Sequence, residues 1–367
     1  MPKKEGALPD HKILEMMGAE FIKGADAKNI NPASLDLTVS GEIYRLEYGL
    51  FQPKPGEDIT DCLNRAGFAP HSFEYPLERG VTYLARLNES LALPDGVYGY
   101  CNPKSSTGRN DVHVRVLVDG VPRYDAATPA GCYGVMWAAI CPKSFPVKLA
   151  SGEALSQIRF FTANTRFDEL DLQVHLRRDK LLWHNDEPLF YDDLQISDGD
   201  GSIILTLAID EKIIGYECRG SNRVMDFSKR RHYRSDDFFT PLQKNGGSLY
   251  LKKDCFYILS TREAVRVPPH CACEMVPMDE RAGEFRSHYA GFIDPGWGWG
   301  ENGEGHGRLI TLEVRPFEDM AVCDNQPIAK IRFEKMMALP DAHYDQLDKS
   351  NYTAQIDPKL SKHFLYV

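Results

Sequence analysis

Tyrosine and proline residues recur along the chain at one fixed spacing. Tyr83 and Tyr257 are 174 positions apart, and three pairs of prolines repeat this offset, namely Pro94 and Pro268, Pro103 and Pro277, and Pro142 and Pro316. The segment Gln157-Ile-Arg-Phe160 returns as Lys330-Ile-Arg-Phe333 with a slip of one position. Such ordered matches indicate an internal duplication, which favours two similar domains. Coincidence among prolines, which are common in β proteins, is the alternative.

Chain length supports the same division. A chain of 367 residues is long enough for two domains that each bury a hydrophobic core. We expect a first copy at 1–165, a charged connector at 166–200 and a second copy at 201–367. The sequence shows no signal peptide and no apolar run that could span a bilayer, so we expect no membrane association.

Charge and cysteine content restrict the compartment and the partners. The net charge of −10 is unfavourable for coating nucleic acid, because neutralising phosphates requires clustered lysine and arginine. The cysteines number nine, and an odd number of thiols suits a reducing compartment better than a disulfide framework. We therefore expect a cytoplasmic protein that binds no nucleic acid, although a local basic pocket could still hold a small anion.

Alternating apolar residues predict a β-rich fold. Segments 112–118, 202–209 and 308–315 read as strands, and frequent glycine and proline between such segments favour a barrel or a sandwich. Helical periodicity is credible mainly near the start of the chain. The residues that could share one face of this helix, behind an N-cap at Asp10, are Ile13, Leu14, Met17 and Phe21.

The segment Pro103-Lys-Ser-Ser-Thr-Gly-Arg109 is a candidate anion cradle. Hydroxyl and backbone N–H groups can donate to phosphate oxygens, and a guanidinium can engage them with two parallel hydrogen bonds. Taken alone, such a segment is more often a solvated turn.

Together with other segments, this motif resembles the dCTP deaminase family of the dUTPase-like superfamily. The segments that carry the resemblance are Asn31-Pro-Ala-Ser-Leu-Asp-Leu37, Lys104-Ser-Ser-Thr-Gly-Arg109, Ala290-Gly-Phe-Ile-Asp-Pro-Gly-Trp297, Thr311-Leu-Glu313, and Tyr344 with Gln355 in the tail. The resemblance covers most of both halves and leaves out the connector. Found together, the phosphate motif and the Asp-Pro-Gly-Trp hairpin are specific for this family, whereas either of them alone is weak evidence for it.

The resemblance implies an all-β fold made of two tandem dUTPase-like distorted β-barrels of jelly-roll or β-clip type, with a few short helices. It implies hydrolytic deamination of dCTP to dUTP, with Glu313 as the proton shuttle. The substrate-binding residues that it implies are Lys104, Ser105, Ser106, Arg109, Ala290, Asp294, Trp297, Thr311, Leu312, Tyr344, Lys349 and Gln355. The family has a lysine in its C-terminal tail that would correspond to Asn351 of this sequence, and the resemblance implies that Lys349 takes its place.

The resemblance also implies cofactors and partners. Mg²⁺ is expected to arrive with the triphosphate, and no zinc or other protein-held catalytic metal is expected. The expected partners are dCTP and dUTP, with dTTP as an inhibitor, and other copies of the chain in a homo-oligomer of trimer-like arrangement.

The two copies differ from each other in a complementary way. With the offset of 174, Ser105 corresponds to Asp279 and Arg109 to Gly283, so the second copy lacks the phosphate motif. Glu313 corresponds to Ala139, so the first copy lacks the acid. We therefore expect the first copy to supply phosphate binding and the second to supply the chemistry.

Several other functions remain open at this point. A dUTPase shares the phosphate motif and the hairpin aspartate but would not need Glu313, and a bifunctional enzyme could make dUMP directly. A non-enzymatic nucleotide sensor on the same fold is a further alternative. A zinc deaminase would need His-x-Glu and Pro-Cys-x-x-Cys, and the sequence contains neither.

Two further patterns have alternative interpretations. His270-Cys-Ala-Cys273 lacks a second ligand pair at zinc-site spacing, so structural thiols are expected there. Gly298-x-Gly-x-x-Gly303 matches a dinucleotide motif by letter, but no strand–helix unit surrounds it. We expect the segment from Gly296 to Gly307 to be a mobile loop over a pocket or an exposed turn.

Overall fold

The computed structural model describes residues 4–194, 196–209, 214–243, 247–278, 285–287, 291–347 and 358–365. It divides into two units. The N-terminal unit consists of Asp10–Ala163, Gly220–Phe238 and Ser361–Val367, and the C-terminal unit of Met1–Pro9, Asn164–Arg219 and Phe239–Leu360. Segment 166–200, expected to be a connector, therefore belongs to the C-terminal unit.

Strands dominate the first half of the chain. In order, the elements are α1 Asp10–Gly18, β1 Ile22–Lys23, β2 Ile30–Asn31, β3 Ser34–Leu46, α2 Ile59–Ala66, β4 Phe68–Pro70, β5 Tyr83–Ala92, β6 Tyr98–Pro103, α3 Ser105–Gly108, β7 Val112–Val118, β8 Ala126–Ala127, β9 Tyr133–Pro142, β10 Val147–Lys148 and β11 Ala154–Phe161. A short 3₁₀ helix spans Ala27–Asn29.

The second half is built in the same way. Its elements are α4 Glu169–Asp179, β12 Leu182–His184, β13 Glu187–Leu189, β14 Ser202–Thr206, β15 Tyr216–Cys218, β16 Met225–Asp226, β17 Thr240–Pro241, β18 Ser248–Leu251, β19 Phe256–Val265, β20 Cys271–Val276, β21 Phe285–Ser287, β22 Phe292–Ile293, β23 Arg308–Pro316, β24 Met320–Cys323 and β25 Pro327–Lys335. Short 3₁₀ helices span Tyr191–Asp193, Ser235–Asp237 and Tyr344–Gln346.

The N-terminal unit is a near-closed barrel. Its main sheet runs in the order β7-β9-β5-β3-β11-β6-β8, with β1 paired to β5 and with β2 and β4 paired to β3. Every second residue of β7 is buried at Val112, Val114 and Val116, as the alternation in the sequence predicts. A short parallel pair joins β10 to β16, which comes from the Gly220–Phe238 segment.

The described residues of the C-terminal unit form three sheets. Strands β13-β12-β19-β15-β17 form one sheet, in which β23 also pairs with β19 and β21. The other sheets are β14-β25-β20-β22 and β18-β24. One apolar core joins them to α4 through residues such as Leu172, Leu259 and Phe333. The expectation of an all-β fold is confirmed.

The same contacts occur in both units at the offset found in the sequence. Tyr83 pairs with Ile140 across β5 and β9, and Tyr257 pairs with Val314 across β19 and β23, which is 174 positions further along in each case. Each tyrosine hydroxyl accepts a hydrogen bond from the backbone N–H five residues earlier, at 3.1 Å and 2.8 Å respectively.

A buried glutamate makes a second shared contact. Glu89 accepts hydrogen bonds from the backbone N–H and the hydroxyl of Thr38, at 2.9 and 2.7 Å. Glu263 accepts the equivalent pair from Thr206, at 2.8 and 2.7 Å. Burying a carboxylate is costly unless donors surround it, so this pairing fixes the same strand crossing in each unit.

The first helix differs from its expected form. Asp10 is the first residue of α1 rather than its cap, and the buried residues are Ile13 and Met16. Leu14 is half-exposed. The helix is only nine residues long, so Phe21 lies beyond its end and the wide apolar face inferred from the sequence does not form. No helix among the described residues is long and apolar enough to cross a membrane.

Candidate active site

The phosphate motif folds as a single helical turn in the N-terminal unit. Strand β6 ends at Pro103, and α3 begins two residues later at Ser105. The carbonyl of Lys104 accepts hydrogen bonds from the N–H groups of Thr107 and Gly108, at 2.8 and 3.0 Å. The backbone N–H of Lys104 donates to Leu155 on β11 at 3.0 Å, which fixes the turn against the barrel.

Most of this turn is buried. Ser106 and Arg109 are buried, with Arg109 only 3% exposed. The hydroxyl of Thr107 is also buried and has no hydrogen-bond partner among the described residues. A buried hydroxyl without a partner is costly, which makes this one a candidate donor to a bound anion. The sequence prediction missed Thr107 because the motif treats its position as variable.

Lys104 joins the turn to the first strands of the unit. Its ammonium group forms an ion pair with Asp36 on β3, and Asp36 also accepts a hydrogen bond of 3.0 Å from the amide of Asn31. Two segments that carry the resemblance therefore meet inside one unit. In this arrangement the charge of Lys104 is already shared with a carboxylate.

Asn110 connects the turn to the C-terminal end of the chain. Its Nδ2 donates to the carbonyl of Ser106 at 2.9 Å and lies 2.9 Å from Nδ1 of His363. Its Oδ1 accepts a hydrogen bond of 2.8 Å from the hydroxyl of Ser361. Sequence reasoning missed this contact, because the partners are more than 250 positions apart and no short motif links them.

The electrostatics of His363 fit its contact with Asn110. Burial, followed by the charge of Lys362, lowers the pKa of His363 to about 3. The ring is therefore neutral near neutral pH, and its Nδ1 can accept the hydrogen bond from the Asn110 amide.

Glu313 lies on β23 of the C-terminal unit, in the middle of its sheet. It is directly opposite Ile258 on β19, and it is 3% exposed. Thr311, two residues earlier, projects from the same face of the strand and is also buried. Leu312 and Val314, which project from the opposite face, belong to the apolar core of the unit.

Leu312 has a different position from Thr311 and Glu313. Its side chain is fully buried in the apolar core of the unit, because it projects from the other face of the strand. The predicted contact of Leu312 with a ligand can therefore involve only its backbone groups.

Asp294, Trp297 and Tyr344 come together at one turn of the C-terminal unit. The backbone N–H of Trp297 donates to the carbonyl of Asp294 at 3.1 Å. The ring of Tyr344 lies 5.0 Å from that of Trp297, and its backbone N–H donates to Pro295 at 2.8 Å. Asp294 and Trp297 are nearly buried. The sequence placed these residues in one site, and the structure brings them together.

Gly296 allows the close approach at this turn. Its φ is +88°, and a Cβ at this position would lie 2.4 Å from Nδ1 of His343. Only glycine adopts such a conformation at little cost and leaves room for the imidazole ring. The glycine thus positions Asp294 and Trp297 on either side of it.

Packing contacts anchor the loop from Gly296 to Gly307 at several points, while Glu301, Asn302, Glu304 and His306 are exposed, which agrees with the exposed turn that the sequence allowed. The guanidinium of Arg266 lies 3.9 Å from the ring of Trp299 and donates to the carbonyl of Gly303 at 2.6 Å. The ring of His306 stacks on Trp183 with centroids 4.1 Å apart. These cation–π and stacking contacts hold a segment that the glycine content alone suggested was loose.

In the N-terminal unit, the position equivalent to Glu313 lies within a buried apolar cluster. Ala139 lies opposite Leu84 in the pairing of β9 with β5, at the register where Glu313 lies opposite Ile258. Ile59 and Leu63 of α2 belong to the same buried apolar cluster as Leu84 and Ala139. An ionised acid placed at Ala139 would be buried against apolar side chains without a partner.

Some predicted residues lie outside the described part of the chain. They are Ala290, Lys349 and Gln355, together with Asp279 and Gly283, the second-copy counterparts of Ser105 and Arg109. The predicted roles of the first three remain predictions.

A cluster of candidate metal ligands also occurs in the C-terminal unit. The ligand atoms of His175, His270 and Cys271 lie within 4.8 Å of one another. A guanidinium nitrogen of Arg178 lies 3.1 Å from His175 and 3.2 Å from His270, and Asp179 lies 2.6 Å from His175. Burial raises the pKa of the Cys271 thiol, which favours its protonated form over a thiolate ligand.

Comparison with known proteins places these features in a family. The models for the N-terminal and C-terminal domains of 2'-deoxycytidine 5'-triphosphate deaminase match residues 4–164 and 172–364. The chain is also similar to the crystal structure of 2'-deoxycytidine 5'-triphosphate deaminase from Agrobacterium tumefaciens, with 35% identity and a TM-score of 0.81. The match covers 92% of this chain and 100% of that chain. No curated protein matches the chain.

Proposed function

The chain belongs to the 2'-deoxycytidine 5'-triphosphate deaminase family, and on this premise we propose that it converts dCTP and water to dUTP and ammonia. The observation that carries this proposal is the buried carboxyl group of Glu313, which lies on the face of β23 opposite the apolar core, in the unit that also holds the Asp294–Trp297 turn. The reaction breaks a carbon–nitrogen bond of a cyclic amidine.

Glu313 supplies the proton transfers. Water attacks C4 of the cytosine ring and loses its first proton to the carboxylate, which passes it to the ring nitrogen N3. The proton of the new C4 hydroxyl then passes through the same carboxylate to the amine as the C4 carbonyl forms. The bond from C4 to the exocyclic nitrogen then breaks, and ammonia leaves. A single positioned carboxyl group can perform both transfers, and such a shuttle contributes on the order of 10²–10⁴-fold in rate.

The turn at Ser105–Arg109 binds the phosphates. Hydroxyl groups of Ser105, Ser106 and Thr107 donate to phosphate oxygens, and Arg109 adds a charge-assisted pair of hydrogen bonds. Asp294, Trp297 and Tyr344, with Thr311 and the backbone of Leu312, hold the nucleoside. Ala290, Lys349 and Gln355 complete this set by the family resemblance.

The complete substrate site requires residues of both copies. The phosphate-binding residues belong to the first copy and the acid to the second. Ala139 occupies the position of the acid in the first copy, and Gly283 occupies the position of Arg109 in the second. Each copy by itself is therefore inert. The partners could belong to one chain or to neighbouring chains of a homo-oligomer of trimer-like arrangement.

Mg²⁺ accompanies the triphosphate, where it balances charge on the phosphate oxygens.

The protein functions in the cytoplasm, as an enzyme of pyrimidine deoxynucleotide synthesis. A nucleotide with a thymine base, dTTP, inhibits by competing for the same phosphate-binding residues.

Product analysis tests the proposed function. Purified protein is incubated with Mg²⁺ and either dCTP or dUTP, and the nucleotides and released ammonia are quantified. We expect dUTP and one equivalent of ammonia from dCTP, and no reaction of dUTP. Formation of dUMP from dCTP would indicate the bifunctional enzyme, conversion of dUTP alone would indicate a dUTPase, and no turnover of either would indicate a sensor.

A further inference from the structure

A buried ion pair lies beside the aromatic rings of the C-terminal unit. Asp345, the residue after Tyr344, pairs with Arg308 at the start of β23. The side chain of Asp345 is only 3% exposed, and that of Arg308 is 16% exposed. Removing either charge from a buried pair leaves the other without compensation, so the two side chains constrain each other strongly. The pair therefore ties the segment that carries Tyr344 to the strand that carries Glu313.

Each member of this pair makes a second contact. The guanidinium carbon of Arg308 lies 5.5 Å from the ring centre of Trp297, which is within the range of a cation–π contact. The other carboxylate oxygen of Asp345 accepts a hydrogen bond of 2.8 Å from the backbone N–H of Gly300, in the loop from Gly296 to Gly307. The ion pair is thus joined to one aromatic ring on its basic side and to the loop on its acidic side.

The same loop holds the residues on both sides of Tyr344. Before it, Nε2 of His343 lies 3.3 Å from the carbonyl oxygen of Glu301. After it, Asp345 accepts the hydrogen bond from Gly300. The backbone around the tyrosine is therefore fixed at two points, and the direction of its ring follows from contacts that its own side chain does not make.

We propose that Arg308 and Asp345 are positioning residues, whose ion pair holds two aromatic rings together and thereby shapes the site for the nucleoside. The rings are those of Trp297 and Tyr344, which hold the nucleoside in the proposed function on which this role rests. Arg308 precedes Glu313 by five residues, or about 16 Å along an extended strand. The pair therefore acts through the rings and not on the reacting atoms. We expect it to set the affinity for the substrate rather than the rate of the chemical step.

Fluorine NMR tests the position of the rings without any substrate. The full chain is labelled with 5-fluorotryptophan, and Trp297→Phe identifies the signal of Trp297 among those of the four tryptophans. The ring current of Tyr344 shifts this signal, so Tyr344→Leu should move it. In Asp345→Asn the rings should separate, and adding Tyr344→Leu should then have little further effect. Arg308→Lys keeps a cation opposite the carboxylate and should retain the shift.

Steady-state kinetics with dCTP provide the functional readout. Misplacing a binding group by about 1 Å can cost on the order of 10²-fold. We expect the KM of Asp345→Asn to rise by roughly 10-fold or more, with kcat within a few-fold of the wild type. Arg308→Lys should restore most of the affinity. The control is Lys253→Gln, which breaks an exposed ion pair of the same unit and should behave like the wild type.

A double variant keeps the test valid if one uncompensated charge unfolds the unit. Arg308→Gln combined with Asp345→Asn removes both charges, so neither is left buried without its partner. Residues that act as one pair have effects that do not add. The double variant should therefore match Asp345→Asn in the position of the Trp297 signal and in KM.

The outcomes separate this role from the proposed function. A wild-type Trp297 signal in Asp345→Asn, or a wild-type KM for dCTP in that variant, would overturn the positioning role even if dCTP is deaminated normally. Conversely, loss of the shift caused by Tyr344, both in Asp345→Asn and in the double variant, would support the positioning of the rings even if product analysis shows that dCTP is not the substrate.

Discussion

Glu313 lies directly opposite Ile258 in the antiparallel pairing of β23 with β19. At the same register of the N-terminal unit, Ala139 lies opposite Leu84. Both belong to a buried apolar cluster that includes Ile59 and Leu63 of α2. The two units thus share a framework of strands but differ at the position that carries the acid. This difference gives a physical basis for dividing the chemistry and the phosphate binding between two copies.

Arg109→Ala should weaken dCTP binding by roughly 10- to 100-fold, because a buried guanidinium that pairs with phosphate is worth about 1.5–3 kcal/mol. The loss should be smaller for dCMP and smaller still for deoxycytidine. Titrations of the three ligands measure this dependence, and Arg123→Ala, which removes an exposed arginine of the same unit, is the control. An equal loss for all three ligands would remove Arg109 from the phosphate site.

Activity should survive complete removal of zinc. The motifs that hold zinc in nucleotide deaminases are absent from the sequence, and a carboxyl group performs the proton transfers in our account. Protein is treated with a chelator, dialysed, supplied with Mg²⁺ and assayed, and its metal content is measured in parallel. One zinc per chain, with turnover that requires it, would contradict this expectation and direct attention to His175, His270 and Cys271.

Mixing two impaired variants at a dCTP concentration too low to saturate Arg109→Ala should reveal whether chains share substrate sites. Arg109→Ala carries an intact acid, and Glu313→Gln carries an intact phosphate-binding turn. If sites form between chains, subunit exchange should restore part of the activity, because some sites then combine both intact halves. If sites form within one chain, every site keeps one lesion and the mixture stays inactive. Activity close to that of the wild type in either variant alone, at the same low dCTP concentration, would contradict the division of roles.

Docking of the C-terminal segment should weaken in acid. The pKa of His363 is lowered to about 3 by burial, compared with 6.5 when unfolded. Its contribution is therefore full above pH 6.5 and is lost as pH falls toward 3, at up to about 1.4 kcal/mol per pH unit. The N–H of Leu365 donates to the carbonyl of Tyr233 at 2.8 Å. Amide exchange at Tyr233 and Leu365, corrected for intrinsic rates, measures the docking.

The control for this prediction is a neighbouring histidine. His363→Gln should remove most of the acid dependence of docking, whereas His232→Gln, which changes an exposed residue, should retain it. The same slope between pH 6.5 and 4 in wild type and in His363→Gln would show that His363 does not control the segment.

Local patterns in the sequence predicted much of the fold and part of the site. The alternation of apolar residues in β7 and β23 predicted these strands, because it depends only on residues close together in the sequence. The repeat at 174 positions predicted which strands of the two units are equivalent, because it compares two copies of one pattern. The face of α1 was wrong because a nine-residue helix ends before Phe21. The packed loop at Trp299 and the contact of Asn110 with Ser361 depend on partners distant in sequence, which local patterns do not reveal.

The role of Glu313 is tested most directly by Glu313→Gln. Enzyme in excess is mixed with radiolabelled dCTP, and both bound nucleotide and deaminated product are measured, with Glu318→Gln as a control at an exposed glutamate. The amide keeps the size of the side chain but cannot shuttle a proton. We expect dCTP binding within a few-fold of wild type and a rate of deamination lower by about 10²–10⁴-fold or more. Deamination at close to the wild-type rate would show that Glu313 is not the catalytic acid–base group.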